Sequence, residues 1–224
     1  MNAADLPPEL AQPANPGLID AVRSIAQGSL AGRAYAIDRG AYPVDLLKQL
    51  AAAGAMSAHL EKADGTPGDY GLAILAMAEA AKVCGATGFM MWCQCVAGLY
   101  MQASGNPGLT GERLARHVRG ETLGGTGLSN PMKSFAQIEA LLLKATPVDG
   151  GYIVNGTLPW VSNLAPDHYF GAIASVPTDS AARELMFMLR CDAPGVTLKA
   201  CPEFSGMEGT GTFSASVRIV AYDH

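Results

Sequence analysis

The sequence has no cluster of positive charge. Its 15 lysines and arginines form no run, and 20 acidic residues outnumber them, so the net charge is −5 and the pI is near 5.3. Proteins that bind nucleic acids neutralise phosphates mainly with clustered Lys and Arg. We therefore expect no nucleic-acid partner.

Long apolar segments are also lacking. The densest apolar run, residues 89–101, is interrupted by Gln94, and it is shorter than the roughly 20 residues that a membrane-spanning helix needs. The first ten residues contain acids and prolines but no apolar core, unlike a secretory signal. These absences predict a soluble globular chain without a membrane span.

The paired cysteines typical of metal sites are missing as well. The five cysteines include no Cys-x-x-Cys pair, and the four histidines are scattered. Cys93 and Cys95 lie two apart in a predicted helix, so they point to different sides and are poorly placed for a shared metal or a disulfide. We expect free, mostly buried thiols in a reducing cytoplasm, and no metal site.

Common phosphate-binding and catalytic signatures are absent too. The glycine-rich segments 124–130 and 206–212 do not complete Gly-x-Gly-x-x-Gly before a helix, and no Gly-Lys-Ser/Thr ending exists. No Ser-His-Asp order or carboxylate pair stands out. The glycines of these two segments are therefore more typical of turns and bulges.

Helical patterns fill the first half of the chain. Apolar residues make up 49% of the sequence, which is ample for a core, and up to about residue 120 they recur at helical spacing. Pro43 suits a first helical turn, and Thr110 suits a helix cap. The predicted helices cover residues 16–37, 43–54, 72–83, 87–103 and 110–120.

The fourth predicted helix, residues 87–103, is apolar on nearly every side. Such a helix is normally central to its bundle. We therefore interpret Met90, Met91 and Trp92 as core residues rather than cofactor ligands. We also expect this helix to lie against the second half of the chain, because it is too apolar to leave a face in water.

Beyond residue 120 the pattern changes to short β-rich runs separated by Gly, Pro, Asp or Asn. The runs cover residues 122–129, 135–145, 151–155, 160–162, 168–176, 185–190, 196–200 and 212–220. The chain is therefore predicted to be α+β. An N-terminal helical domain covers residues 1–120, and a β-domain, a small antiparallel barrel or sandwich, covers residues 121–224.

One stretch of the β-domain carries candidate binding residues. Residues 155–163 read Asn-Gly-Thr-Leu-Pro-Trp-Val-Ser-Asn. Asn155-Gly156 predicts a tight turn, after which Trp160 and Ser162 fall on one face of a returning strand. An aromatic ring beside a hydroxyl can flank a flat, hydrogen-bonding heterocycle. The alternative is a hairpin with a core tryptophan.

This stretch, together with Ser129-Asn130-Pro131 upstream, resembles two motifs of the acyl-CoA dehydrogenase family. The family carries Thr-Glu-Pro in its middle domain and Asn-Gly-x-Lys-x-Trp-Ile-Thr about one strand pair later. The order and spacing match in this sequence, and the resemblance spans nearly the whole chain. It implies a flavoprotein oxidoreductase that binds FAD.

The resemblance also implies roles for individual residues. Leu128 and Ser129 would line the pyrimidine end of the flavin, Trp160 would lie against its ring, and the Ser162 hydroxyl would lie near its N5. Backbone N–H groups and hydroxyls at these positions would stabilise the charge that builds on flavin reduction. Ser134 would contact a thioester ligand.

The implied reaction is α,β-dehydrogenation of an acyl-CoA thioester, with hydride passing to flavin N5. The family's C-terminal helical bundle carries the catalytic base, and both are expected beyond His224. The implied partners are an acyl-CoA thioester, an electron-transfer partner, and either further copies of the chain or a partner chain that supplies the bundle.

Three departures from the family motifs leave alternatives open. Asn130 replaces the Glu of Thr-Glu-Pro, residues 133–135 replace a Gly-Ser-Asp element, and Leu158 replaces a Lys. One alternative is a monooxygenase that uses reduced flavin on the same scaffold. The other is a non-catalytic remnant that serves only in binding or assembly.

Overall fold

A computed structural model describes residues 16–177 and 183–222, and it begins with helices. The first predicted helix, residues 16–37, is helical throughout, but the type of helix changes along it. The α-helix α1, Pro16–Ile25, passes into a π-helical turn at Ala26–Leu30, a 3₁₀ turn at Ala31–Arg33 and the short α-helix α2, Ala34–Asp38. Buried side chains mark its inner face on both sides of the irregular turns.

Five further helices follow before the first strand in the part of the chain that the structure describes. They are α3, Val44–Ala52; α4, Tyr70–Ala81; α5, Gly85–Ala103; α6, Pro107–Thr110; and α7, Glu112–Val118. The cap predicted at Thr110 is wrong, because Gly111 precedes α7 without a side-chain cap. Thr110 instead ends α6, whose first turn is capped by the Asn106 side chain.

The core position predicted for α5 is confirmed, except for its aromatic side chains. Met90 and Met91 are fully buried, whereas Phe89 is 36% and Trp92 is 43% exposed. Residues three apart share a helix face, and these two rings stack on each other with centroids 5.6 Å apart. The core interpretation of Trp92 is therefore wrong, and α5 presents an aromatic pair at the surface.

Over the described residues, the strands form a single seven-stranded sheet. They are β1, Gly124–Thr126; β2, Lys144–Val148; β3, Gly151–Val161; β4, Tyr169–Val176; β5, Arg183–Arg190; β6, Val196–Ala200; and β7, Phe213–Tyr222. The order is β1-β4-β2-β3-β7-β6, and β5 also pairs with β4. The α+β class is confirmed. The sheet is mixed rather than wholly antiparallel, because β1 and β2 each pair with β4 in parallel.

The tight turn predicted at Asn155-Gly156 is wrong. Strand β3 continues through both residues and pairs with β7 along this stretch. Gly156 has a φ of +143°, and a Cβ on it would lie 2.3 Å from the Leu142 carbonyl oxygen. Glycine is therefore needed here for a close backbone approach. The chain reverses earlier, at Gly150, between β2 and β3.

A helix also replaces part of a predicted strand region. Residues Ser129–Phe135 form α8, and residues 136–143 contain no strand. The buried Asn130 side chain stabilises this arrangement. Its Nδ2 donates to Glu139 Oε1 and to the Ala140 carbonyl oxygen, each at 2.9 Å, and its Oδ1 accepts from Leu142 N–H at 2.9 Å.

Buried polar side chains connect the helices to the sheet edge. The Oε1 atom of Gln94, on α5, accepts from Gly124 N–H of β1 at 2.7 Å. His117, on α7, lies 2.8 Å from the Gln94 carbonyl oxygen through Nε2, and its Nδ1 lies 3.3 Å from Gln94 Nε2. These partners require a neutral ring with its proton on Nε2.

Asn163 makes a second connection, at the end of β3. Its Nδ2 donates to the Gly124 carbonyl oxygen at 2.7 Å, and its Oδ1 accepts from the Tyr42 hydroxyl at 2.6 Å. Its backbone N–H donates to the Thr210 carbonyl oxygen, and its carbonyl oxygen lies 2.9 Å from His168 Nδ1. Burial raises the pKa of Tyr42, so its hydroxyl stays protonated as a donor.

We predict that acid weakens the fold through His117. Burial lowers its pKa from 6.5 to about 4, and burial also lowers the pKa values of His59 and His168. As the pH falls below 6.5, the unfolded chain takes up the proton first, so the free energy of unfolding decreases. For His117 alone the loss by pH 4 is on the order of 3 kcal/mol.

Urea unfolding measured between pH 7 and pH 4 tests this expectation. His117→Gln, which cannot titrate, is the control, and its stability should fall less over the same pH range. Equal losses in the wild type and His117→Gln would contradict the assignment.

We predict that Asn163 is a major source of stability. Asn163→Ala leaves the Tyr42 hydroxyl and the Gly124 carbonyl without these partners and places alanine at a φ of +63°. The expected cost is about 3 kcal/mol or more, from unpaired buried groups and backbone strain. Chemical denaturation measures it.

Asn163→Gly separates the two causes of this loss, because glycine adopts the positive φ without strain and lacks only the amide. It should be less damaging than alanine but still clearly destabilising. A stability within about 0.5 kcal/mol of the wild type would mean that the amide bonds contribute little.

Candidate functional site

The two segments singled out from the sequence meet at one edge of the sheet. Thr126, at the end of β1, forms an isolated antiparallel bridge with Ser162, just after β3. A Cβ on Gly125 would lie 2.1 Å from the Ser162 carbonyl oxygen, so only glycine allows this approach. The structure therefore brings segment 124–130 against segment 155–163.

Trp160 lies at the surface beside this contact. The β3–β7 register shifts between Leu158 and Val161. Both of those side chains are buried, whereas Trp160 is 45% exposed. Because of this register shift, the buried residues Leu158 and Val161 are three positions apart, and the Trp160 side chain between them faces the surface. The alternative of a core tryptophan is therefore wrong.

The exposed ring of Trp160 borders a hollow of about 270 Å³, which we call the aromatic hollow. It is lined by Phe89, Trp160, Phe204, Gly206, Met207, Thr210 and Thr212. The rings of Trp160 and Phe204 are tilted, with centroids 5.8 Å apart. Grouped, half-exposed aromatic side chains of this kind are typical of ligand or protein contact surfaces.

Thr210 and Thr212 line the aromatic hollow, whereas Ser162 lines neither this hollow nor the smaller one that also borders Trp160 in the described part of the chain. Ser162 Oγ lies 2.7 Å from Thr212 Oγ1, which lies 2.8 Å from Thr210 Oγ1. A separate pair joins Tyr100 Oη and Thr126 Oγ1 at 2.7 Å. Sequence reasoning missed Thr210 and Thr212, because it treated segment 206–212 only as a glycine-rich turn. Their alternation with glycine was the available signal.

The remaining predicted site residues are Leu128, Ser129 and Ser134. The exposed Ser129 shares a small niche with Trp160, Gly127 and Lys133. Leu128 is half-buried, and its backbone N–H lies 3.4 Å from Thr126 Oγ1. Ser134 is half-buried on α8, and it does not line either the aromatic hollow or this niche in the described part of the chain.

The charged groups of the niche are bonded to each other. Glu139 accepts from Asn130 Nδ2 at 2.9 Å, and its Oε1 lies 3.6 Å from Lys133 Nζ. Asn130 stands where the related motif has Glu, and it ties residues 139–142 to α8. Glu139 therefore helps to hold residues 139–142 against α8.

A larger hollow, about 1250 Å³, lies away from this edge, between segment 54–69 and α7. Three of its polar lining side chains are engaged within the protein. Arg119 forms ion pairs with Glu112 and Glu121, Gln102 pairs with the backbone of Glu61, and the Asp69 side chain caps α4. The exposed aromatic rings and hydroxyls converge at the aromatic hollow instead.

No metal-binding constellation is visible in the described residues, where no three His, Cys, Asp or Glu side chains are suitably grouped. All five cysteines are free thiols. Burial raises the pKa values of Cys93, Cys95 and Cys191 to about 12, which keeps them protonated.

Within residues 16–177 and 183–222, no helix has the length and apolar character of a membrane span.

Comparison with known proteins gives matches across the chain. Residues 15–121 match the family model described as acyl-CoA dehydrogenase, N-terminal domain. Benzylmalonyl-CoA dehydrogenase of Aromatoleum aromaticum is 26% identical over 175 residues, which cover 75% of this chain and 45% of that protein. The chain spans about half the length of the curated relatives it matches, between 45% and 48%.

Solved structures share the fold. Butyryl-CoA dehydrogenase from Megasphaera elsdenii matches with a TM-score of 0.81 and 20% identity over 98% of this chain and 58% of that chain. Glutaryl-CoA dehydrogenase from Mycobacterium smegmatis, in complex with FADH2, matches with a TM-score of 0.78 and 20% identity over 95% and 54% of the two chains. The family match over residues 15–121 and the related sequences support membership of the acyl-CoA dehydrogenase family, and the solved structures show the fold that the chain shares with them.

Proposed function

We propose that this chain forms the FAD-binding half of an oxidoreductase that dehydrogenates acyl-CoA thioesters. The observation that carries the proposal is the convergence of an exposed Trp160 ring, the Ser162 hydroxyl and segment 126–129 at one sheet edge. The names of its relatives support the reaction class, and the FADH2 complex of one structural neighbour supports the cofactor.

The residues at this edge fit a flavin ring. A flat, polar heterocycle needs an aromatic or apolar surface against its face and hydrogen-bonding groups along its rim. Trp160 and the other aromatic side chains of the hollow offer the surface, and Ser129, Ser162 and Thr212 offer hydroxyls. When bound, FAD supplies the acceptor for the hydride that leaves the acyl thioester.

The chain's own residues would bind and orient the cofactor. In our proposal Trp160 covers one part of the ring and excludes water from it, while the Ser162 hydroxyl lies at the reactive nitrogen. Leu128 and Ser129 lie at the pyrimidine end, where an N–H group or a hydroxyl stabilises negative charge. The proposed contact of Ser134 with the thioester rests on the family resemblance.

We propose that the base that removes the α-proton comes from a segment outside residues 1–224 or from a partner chain. The chain spans about half the length of its curated relatives. Glu139, the carboxylate that lines the Ser129 niche, is held by Asn130 and Lys133 rather than free to act. The expected position of the base, beyond His224, lies outside the described residues.

We predict that the purified chain binds FAD weakly and that Trp160→Ala reduces the affinity about tenfold or more, roughly 1.4 kcal/mol. Calorimetric titration measures the dissociation constant. Tyr35→Ala removes an aromatic side chain that is 81% exposed elsewhere on the surface, so it should leave the affinity unchanged. No binding by the wild type, or equal binding by Trp160→Ala, would count against this site.

We predict that Ser162 acts in the reductive step. In a preparation that includes the polypeptide carrying the base, Ser162→Ala should slow anaerobic flavin reduction by an acyl-CoA about tenfold or more, roughly 1.4 kcal/mol in barrier. Ser162→Thr should be mild, because it keeps the hydroxyl. Stopped-flow absorbance follows the reduction rates of all three proteins.

This measurement, together with the FAD titration and an assay for oxygen-dependent hydroxylation, distinguishes the alternative functions. Equal rates in the three proteins would remove Ser162 from the mechanism. Reduction by no acyl-CoA, with oxygen-dependent hydroxylation instead, would identify a reduced-flavin monooxygenase. A protein that binds no flavin and shows neither reaction would be a binding or assembly subunit.

A further inference from the structure

We propose that Thr212 is a positioning residue that, with Thr210, sets the hydrogen-bond direction of the Ser162 hydroxyl. The three oxygens form one chain, with separations of 2.7 Å from Ser162 to Thr212 and 2.8 Å from Thr212 to Thr210. The inference rests on the proposed function, because it takes the Ser162 hydroxyl to face the reactive ring nitrogen of FAD.

Three hydroxyls that are hydrogen-bonded in a row can donate in either of two directions along the row. Each hydroxyl has one proton to donate and two lone pairs that accept. In one order Thr210 donates to Thr212, Thr212 donates to Ser162, and Ser162 is left to donate to a ligand. In the reverse order Ser162 accepts from the ligand and donates to Thr212, and Thr212 donates to Thr210.

Both orders suit a flavin, whose reactive nitrogen accepts a hydrogen bond when oxidised and donates one when reduced. Ser162 can serve the oxidised form alone, because it only has to donate. When Ser162 accepts from the reduced form, its own hydroxyl proton needs another hydrogen-bond acceptor, and Thr212 Oγ1 provides it. Thr212 therefore favours the reduced cofactor more than the oxidised one.

The backbone around the three hydroxyls is fixed by hydrogen bonds. Asn163 N–H donates to the Thr210 carbonyl oxygen at 2.8 Å, and Leu164 N–H donates to the Gly211 carbonyl oxygen at 2.9 Å. Ser162 is bridged to Thr126 on its other side. Segments 162–164 and 210–212 are thereby held side by side, so the hydroxyl separations follow from backbone geometry.

A second hydroxyl pair, on the two strands β3 and β7 that Ser162 and Thr212 adjoin, offers a matched control. Thr157 Oγ1, on β3, lies 2.9 Å from Ser216 Oγ, on β7, and the pair is exposed. Thr157 lines neither the aromatic hollow nor the Ser129 niche. Thr157→Val thus removes the same kind of bond from the same strand pair, away from the proposed cofactor.

The test measures dissociation constants for oxidised FAD and, under anaerobic conditions, for reduced FAD. We expect Thr212→Val to weaken binding of reduced FAD about tenfold, because the half-buried Ser162 hydroxyl loses its acceptor, and to weaken binding of oxidised FAD much less. Thr212→Ser should restore the wild-type ratio of the two constants, and Thr157→Val should not change it.

A double variant shows whether Thr212 acts through Ser162. If it does, Thr212→Val should add no further change in the Ser162→Ala background. A shift that persists there would mean that Thr212 contacts the ring directly, which overturns the inference. If Thr212→Val does not fold, Thr210→Val interrupts the same chain at its next member and should lower the affinity for reduced FAD in the same direction.

Failure of this inference can be told apart from failure of the proposed function. If the wild type binds FAD and Ser162→Ala changes the ratio of the two constants while Thr212→Val does not, the function stands and the hydroxyl chain has no role. If the wild type binds neither form of FAD, both proposals are wrong.

Discussion

The arrangement of this protein depends on the buried side chain of Asn163. It joins the segment before α3, through Tyr42, to the edge strand β1, through the Gly124 carbonyl oxygen. Its backbone contacts the Thr210 carbonyl oxygen and His168. A buried amide is costly unless its bonds are made, so this residue permits one arrangement of helices, edge strand and loop 208–212.

The candidate site lies on the outer side of that junction. Ser162 precedes Asn163 directly, and the loop that Asn163 holds carries Thr210 and Thr212. Gln94 makes a parallel connection from α5 to β1. The hydroxyls at the hollow are thus held by polar contacts in the interior, while Phe89, Trp160 and Phe204 remain at the surface to meet a ligand or another polypeptide.

Two departures from the family motifs become interpretable in the fold. Asn130 replaces an acidic residue, yet it uses both amide atoms to tie Glu139, Ala140 and Leu142 to α8. Leu158 replaces a lysine, and its side chain is buried in the core of the sheet. Both side chains are thus engaged in the scaffold around the niche.

The sequence by itself determined the helical segments, the change to strands near residue 120 and the resemblance to the acyl-CoA dehydrogenase family, because these follow from local periodicity and short motifs. It misjudged Trp92, the Asn155-Gly156 turn and residues 129–143. The errors at Asn155-Gly156 and at residues 129–143 arose because contacts elsewhere in the chain overruled local propensity, whereas Trp92 was misjudged because α5 is apolar on nearly every side and its exposed face carries no polar signal. Gly156 meets the backbone at Leu142, and the hydroxyl chain joins Ser162 to Thr212, 50 positions apart. Only the tertiary structure could bring such residues within hydrogen-bond distance, because the pairing of β3 with β7 sets their separation.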